Sequence, residues 1–408
     1  MCIERVVAMY VERPGIALIG ARGIPPRFGG CDAVADGLSE KLTEMGFEVY
    51  VTCNSRRCYT DKYNKVIRIH TPSIEGKTLT VPTINEVFHT FHLLVKYPKV
   101  RVIYYMLSYG ALVAIIPKLL GKKIIICTDG IEWKRPLTRR PYFSAGWKLV
   151  AVLTSWHLRF MEWLSIKVAN VIIADSRVIK TYLEEKYKAK NVVYISYGAR
   201  DLLNPDITPG EETEILHSYG LSAEEYYLTV TRLVADNNIH LEIEGFRRSE
   251  SKKKLVIVGK LNQEDGYTKY LIKLSGNDSN IVFLDAIFDT VKQGVLRKNC
   301  FGYIHAYQAG GTNPTLLEQM LFKKPILALD IGFQREVLQG GGIYFKDADD
   351  LARGIGMLEK GEVDRESMAA WQARRMKEEY NWDYVAEKYS TLFKNLLGHE
   401  IENIVNPM

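Results

Sequence analysis

The stretch Gly310-Gly311-Thr312-Asn313-Pro314-Thr315-Leu316-Leu317-Glu318 gathers residue types that can do chemistry together. It follows an apolar run, 301–306, that reads as a strand. Two glycines let the backbone turn and lie close to a ligand. Asn313 is a good N-cap and Pro314 suits the first helical position. A helix is therefore expected there, with Leu316, Leu317, Met320 and Leu321 on its apolar face and Lys323-Lys324-Pro325 ending it. A glycine turn feeding a capped helix collects free N–H groups and a positive dipole end at one point, which suits a phosphate or pyrophosphate. Glu318, about one turn inside and flanked by apolar residues, could accept hydroxyl hydrogen bonds, for example from a ribose. The competing reading is an ordinary strand-to-helix loop with a solvated Glu318. His305 closes the strand, either as a core histidine or, the reading we adopt, as a pocket residue.

These residues need elements to position them. Strand 15–20 runs into a Gly/Pro loop ending at Gly29-Gly30, and a helix follows over 32–45. Strands at 47–53, 66–70, 100–106, 123–127, 170–174 and 191–196 alternate with helices at 84–97, 111–120, 145–168 and 178–187. Thr128-Asp129-Gly130 closes one strand, with Asp129 either capping the turn or facing a ligand. Trp147, Trp156, Phe160 and Trp163 recur at helical spacing and are expected to pack inward. Residues 204–210, with Pro205, Pro209 and Gly210, read as a linker. A second alternation has strands at 226–230, 254–258, 281–285, 302–305, 325–329 and 343–345, and the tail 382–397 is an amphipathic helix. The expected architecture is α/β, two doubly wound Rossmann-like domains facing across a cleft. The expected boundaries are an extension over 1–14, a first domain over 15–203, a second over 204–379, and a tail over 380–408 packing back on the first. The Gly29-Gly30 loop and the 310–318 loop both fall at strand ends and so could line that cleft.

Length and composition fit this plan: 408 residues, 47% hydrophobic, 25% charged, net charge +6. The positive excess clusters at Lys122, Lys123, Lys134, Arg135, Arg139, Arg140 and Lys148, against only Asp129 and Glu132 in that span. Five of these charges, Lys134, Arg135, Arg139, Arg140 and Lys148, interleave with Trp133, Tyr142, Phe143 and Trp147. That mixture predicts reversible attachment to an anionic membrane surface, with a solvated face or a contact with another chain as the competing readings. The six cysteines include no C-x-x-C and no zinc spacing, so reduced thiols in the cytoplasm are expected. No secretory signal is expected, because Glu4, Arg5, Glu12 and Arg13 interrupt the only apolar run at the start.

The chain resembles a family-4 glycosyltransferase of the two-domain GT-B fold, in particular a rhamnosyltransferase-like branch. The resemblance rests on Gly29-Gly30 before an amphipathic helix, Arg232-Leu233 after the first strand of the second domain, Glu318 in its helix start, and Glu336. Asp129-Gly130-Ile131-Glu132-Trp133-Lys134-Arg135, Asn237-Asn238 and Gly310-Gly311-Thr312-Asn313-Pro314 carry the likeness to the branch. Gly310 stands where the family has the first of two glutamates. Asn237 replaces a basic residue, and Asp129 stands where a histidine often sits. The resemblance implies a retaining transfer of a sugar, with rhamnose a candidate, from a nucleotide-diphosphate donor. The acceptor would be a glycan or lipid-linked molecule in cell-surface polysaccharide assembly. It also implies no metal, no other cofactor and no nucleic-acid partner. Arg232 would neutralise the diphosphate, Asp129 would position sugar or acceptor or move a proton, and Gly29, Gly30, Asn237, His305, Gly310, Gly311, Thr312, Asn313 and Glu318 would hold the donor. A guanidinium suits that task because its charge is fixed and its donors are paired. Two other classes stay open at this point. One is a nicotinamide oxidoreductase, which lacks a clean G-x-G-x-x-G here; the other is a nucleotide-sugar-binding module without transfer.

Overall fold

The protein is described by a computed structural model covering residues 14–26, 30–54, 60–71, 81–203, 206–262 and 264–398. Gly29, the segment 1–13, Cys2, Cys58 and Pro205 lie outside the described residues. Contacts divide the chain into two compact units: residues up to Asp129 with His157–Gly198 and Trp382 onward, and Gly130–Trp156 with Ala199–Asn381. The division falls at 198/199 and 381/382 rather than at 203/204 and 379/380, and 130–156 goes with the second half of the chain.

The first unit holds a sheet of β1 (Gly15–Ile19), β2 (Glu48–Asn54), β3 (Lys62–Tyr63), β4 (Val66–Thr71), β5 (Val100–Tyr105), β6 (Lys123–Thr128), β7 (Val171–Ala174) and β8 (Val192–Tyr194). Its order is β3-β4-β2-β1-β5-β6-β7-β8, parallel except where β3 meets β4. The central strands read as unbroken apolar runs because both faces are covered, and Ile16, Leu18, Val102, Ile125 and Ile172 are fully buried. Helix Trp382–Leu397 belongs to this unit: the Trp382 ring occupies the space a Cβ would need at Gly37 and Gly198. The Tyr389 hydroxyl also meets that of Tyr104 at 3.0 Å. The helix expected over 111–120 is instead a 3-10 turn, Ser108–Ala111, followed by a short helix, Ile115–Leu119. Gly110 lies against the Tyr105 ring where any Cβ would collide, which ties the turn to that packing.

The second unit holds β9 (Tyr226–Val230), β10 (Lys254–Val258), β11 (Ile281–Leu284), β12 (Gly302–His305), β13 (Ile326–Leu329) and β14 (Ile343–Phe345). They pair in parallel in the order β11-β10-β9-β12-β13-β14. Helix Ile239–Arg248 turns Ile239, Ile243 and Phe246 inward onto this sheet, where they join Leu255, Ile257 and Ile304 in one apolar core. Residues 130–156 are fastened here by an antiparallel bridge between Gly130 and Gly310 and by the Tyr142 ring, 4.8 Å from that of Tyr267.

One expectation fails outright. Trp147, Trp156, Phe160 and Trp163 do not pack inward; they are 44%, 72%, 49% and 43% exposed. Periodicity identified their stripe on helix Ala145–Val168 but could not say which way the stripe faces.

Candidate active site at the second sheet

The strand order of the second sheet runs outward in both directions from the pair β9 and β12. Such a reversal leaves a crevice at the carboxyl ends of the two strands, where α/β folds take their ligands. A buried carboxylate pins the floor of this one. Glu242 accepts a hydrogen bond from Thr229 Oγ1 at 2.7 Å and another from the Ala306 N–H at 3.1 Å, joining the ends of both strands. Burial pushes the Glu242 carboxyl up to about 8 against the opposing effect of these hydrogen bonds.

The loop after β9 presents Arg232. Asn237 donates from Nδ2 to Thr231 Oγ1 at 2.6 Å and to the Arg232 carbonyl at 2.7 Å, fixing the backbone beneath it. Leu233 is buried, whereas the Arg232 side chain is exposed and has no ion-pair partner among the described residues. Asn238 takes a left-handed conformation, φ 50°, which asparagine tolerates, and donates to the Ala306 carbonyl at 3.0 Å. The sequence offered Asn237 as a donor contact. In the structure its amide nitrogen is occupied in holding the Arg232 loop.

Two arginines of the expected membrane cluster, Arg139 and Arg135, are occupied within this unit. Arg139 makes a two-pronged pair with buried Asp236, 2.5 Å from Nε to Oδ1 and 3.0 Å from Nη2 to Oδ2. Burial pushes the Asp236 pKa up, but the Arg139 hydrogen bond and the charges of Arg139, Arg135 and Arg232 outweigh it and hold it below the usual range. Arg135 pairs with Glu132 at 2.8 Å and donates to the Tyr307 hydroxyl at 2.8 Å. Two of the five charges of the predicted membrane cluster, Arg135 and Arg139, are therefore spent inside the second unit.

The loop after β12 carries the residues singled out first. His305 is buried between the rings of Tyr303 and Tyr307, at 6.1 and 6.2 Å. Burial and the nearby Arg297 charge push it down to about 3, so it stays neutral. Its Nε2 has no hydrogen-bond partner among the described residues. The Tyr307 ring fills the space of any Cβ at Gly310, and neither Gly310 nor Gly311 has a positive φ. Gly310 thus serves close packing rather than an unusual turn. Thr312 is buried, and Asn313 caps helix Pro314–Met320 by accepting from the Thr315 N–H at 2.9 Å. That helix has only seven residues, so its dipole is small and the loop leans more on side-chain charge than the sequence suggested.

Glu318 is not the solvated residue of the competing reading. It is buried, with Oε1 3.1 Å from Arg200 Nε and Oε2 2.9 Å from Arg297 Nη2. Each carboxylate oxygen has a second lone pair, so acceptor capacity remains. Arg297 and Arg200 were missed. Arg297 lies in an ordinary helical segment, and nothing in its spacing announces a partner at Glu318. The remaining candidates lie in the first unit: Asp129 follows β6, and Gly30 opens helix Gly30–Glu44. Among the described residues no group of three or more His, Cys, Asp or Glu side chains could hold a metal ion.

Two units of Rossmann type, each a largely parallel sheet wrapped by helices, define the GT-B architecture of glycosyltransferases. The chain superposes on sucrose-phosphate synthase from Thermosynechococcus elongatus with a TM-score of 0.75 at 16% identity, over 94% of this chain and 99% of that one. HepE of Anabaena, solved in complex with UDP-glucose, gives 0.70 at 16% identity over 94% and 99%. WaaG, a glycosyltransferase involved in lipopolysaccharide biosynthesis, gives 0.67 at 12% over 93% and 99%. No curated protein matches the sequence. Residues 14–200 match a domain of unknown function (DUF1972), and residues 212–376 match the family model "Glycosyl transferases group 1". The second unit thus carries a glycosyltransferase group 1 domain, and on that domain the chain is a glycosyltransferase.

Proposed function

We propose that the chain is a retaining hexosyltransferase. It would move a sugar from a nucleotide-diphosphate donor to a glycan or lipid-linked acceptor in cell-surface polysaccharide assembly, working in the cytoplasm at the inner face of the membrane. The observation that carries the donor part is Arg232, an exposed guanidinium without an ion pair among the described residues, held by Asn237 beside the β9/β12 reversal. Its fixed charge suits a diphosphate leaving group. Similarity to HepE, which is described with UDP-glucose, supports a nucleotide-sugar donor. Glu318, oriented by Arg200 and Arg297, offers its remaining lone pairs to ribose hydroxyls. Gly310, Gly311, Thr312 and Asn313 shape the loop beside it. Asp129 is proposed to orient sugar or acceptor, and the sugar to be rhamnose on the strength of the motif likeness. With an arginine in this role the reaction needs no metal, so chelation should leave transfer unchanged.

A calorimetric panel of thymidine, uridine and guanosine diphosphate sugars, rhamnose donors included, tests the reading. One series should bind, and Arg232→Ala should weaken it by roughly 1.5–3 kcal/mol, the worth of a charge-assisted hydrogen bond. Unchanged affinity in a folded variant would remove Arg232 from the donor site. Asp129→Asn should lower turnover at unchanged donor affinity.

A further inference from the structure

Two helices of the first half of the chain carry apolar residues outward as well as inward, where Leu93 of one and Ala151, Leu158 and Met161 of the other are buried. On Val81–Lys96, the exposed residues include Ile84, Phe88, Phe91 and Val95, spaced by four, three and four. The buried residues of the same helix include Glu86, His89 and Thr90. On Ala145–Val168 the exposed stripe is Leu149, Leu153, Trp156, Phe160 and Trp163, while Thr154, Ser155, Glu162 and Ser165 are buried. The buried Glu162 is satisfied: its Oε1 accepts from Tyr182 at 2.8 Å, Tyr187 at 2.6 Å and Lys186 at 3.2 Å. On the other helix Glu86 Oε2 and both ring nitrogens of His89 have no partner among the described residues. A soluble surface helix keeps its apolar stripe on the core side and polar groups outside.

The stripe of Val81–Lys96 and the first-unit part of the other, Phe160 and Trp163, share one face of the first sheet. The steps β4 to β5, β5 to β6 and β6 to β7 all proceed in one direction along the strand order. Right-handed crossovers place the helices of such steps on the same side. The middle step contributes Leu119 and Leu120, 82% and 63% exposed. Lys118 Nζ ties that short segment to the end of the long helix through the Val168 carbonyl at 2.5 Å.

The exposed charges carried by these segments themselves have one sign. No Asp or Glu occurs from Val87 to Thr128, where Lys96, Lys99, Lys122 and Lys123 lie, and none from Trp133 to Met161. Glu162, the sole carboxylate of helix Ala145–Val168, is buried, so its exposed charges are Lys148, Arg159 and Lys167. Aromatic and aliphatic side chains on segments whose own exposed charges are cations, with the carboxylates Glu184 and Glu185 only on the next helix, Arg177–Tyr187, match an anionic lipid surface, where rings sit at headgroup level and lysines meet phosphates. Among the described residues no helix is long and apolar enough to cross a membrane, so the contact would lie in one leaflet.

We propose that the first-unit face formed by the exposed stripe of Val81–Lys96, by Phe160 and Trp163 of helix Ala145–Val168, and by Leu119 and Leu120 docks the protein onto an anionic bilayer. This deepens the membrane part of the proposed function and rests on it. It also moves the contact away from the cluster around Lys134 to Arg140, where Arg135 and Arg139 are already paired.

Flotation of the full-length protein with phosphatidylglycerol-containing and with pure phosphatidylcholine vesicles tests it. Wild type should float with the anionic vesicles at low salt and not with the neutral ones. The triple variant Phe91→Ser, Phe160→Ser, Trp163→Ser should lose binding at least about tenfold, since each change removes interfacial apolar area. Lys134→Gln with Arg140→Gln should keep most of it. Wild-type tryptophan fluorescence should be quenched by brominated lipid. Calorimetric nucleotide binding by the triple variant should match wild type, which separates this face from the donor site. A triple variant that floats like wild type sinks the face and leaves membrane attachment standing elsewhere. Wild type that fails to float sinks both. A dimer in sedimentation that the triple variant abolishes, without flotation, would make the face a contact between copies and overturn the proposal.

Discussion

The helix Ile239–Arg248 and the helix Ala145–Val168 obey the same periodicity and reach different results. In the first, Ile239, Ile243 and Phe246 go inward and Arg247 and Arg248 face water. In the second, Leu158 and Met161 go inward together with threonine, serine and glutamate, while Leu153, Trp156 and Phe160 stay outside. The first arrangement stabilises its own unit by removing apolar area from water. The second realises that gain on its inward face but not on its outward stripe, which is reasonable only if something else covers the stripe. Apolar content alone therefore does not separate residues that hold a fold from residues that serve it.

The comparison breaks first at Phe246. Its ring is buried between helix and sheet, so Phe246→Ala should cost about 3–5 kcal/mol in urea unfolding. A cost below about 1 kcal/mol would mean the inward face of this helix contributes little and the contrast is false. Next comes the ion pair of the second unit. Arg139→Ala leaves Asp236, which has no exposed side-chain surface, without its paired cation, and should cost roughly 3 kcal/mol. Adding Asp236→Asn should recover part of that loss. If the double variant is no better than the single, the guanidinium acts by packing rather than by charge.

Much of this contrast was hidden in the sequence, for physical reasons. Strands β9, β10, β12 and β14 and helices Ala145–Val168 and Trp382–Leu397 fall where apolar runs and helical spacing put them. Asn313 also caps its helix, as its place before Pro314 implies. These are local features, set within a few residues. What stayed hidden is set by distant partners. Arg297 meets Glu318 across 21 positions, and Arg139 meets Asp236 across 97. The outward facing of Trp156 depends on which polar groups wait inside. Glu162 finds Tyr182, Lys186 and Tyr187 from the next helix, and no periodicity of its own helix announces them.

Buried carboxylates sharpen the comparison further, because each sits on an inward face. Burial alone drives Glu86 well above the usual carboxylate range. Glu242 is raised to about 8, above its ordinary 4.5. Between those two values the folded protein holds a proton that the unfolded chain releases, so the Glu242 contribution to stability falls as pH rises. Glu242→Gln mimics the protonated form: its oxygen can accept from the Ala306 N–H while its amide donates to Thr229. The stability of the variant relative to wild type should therefore grow with pH across this window, by at most about 1.4 kcal/mol per pH unit. A difference in urea midpoints that stays flat over the window would place Glu242 outside the titrating groups.

The smallest expected effect tests the helix Ala145–Val168 itself. Phe160 is half exposed and stands on the outward stripe, beside Trp163 at a ring separation of 5.7 Å. Phe160→Ser removes that ring contact and some partly covered area but opens no internal cavity. Surface changes of this kind usually stay within about 0.5 kcal/mol of wild type. The unfolding midpoint of Phe160→Ser should accordingly match wild type, in the same urea series that shows the large loss for Phe246→Ala. The two substitutions remove the same ring from two helices of similar periodicity, so their ratio measures the contrast directly. A loss of 2 kcal/mol or more at Phe160, about what full burial of an aromatic ring contributes, would mean the stripe is covered by the protein's own chain in solution. The outward face would then be core, and the search for a covering surface would end there.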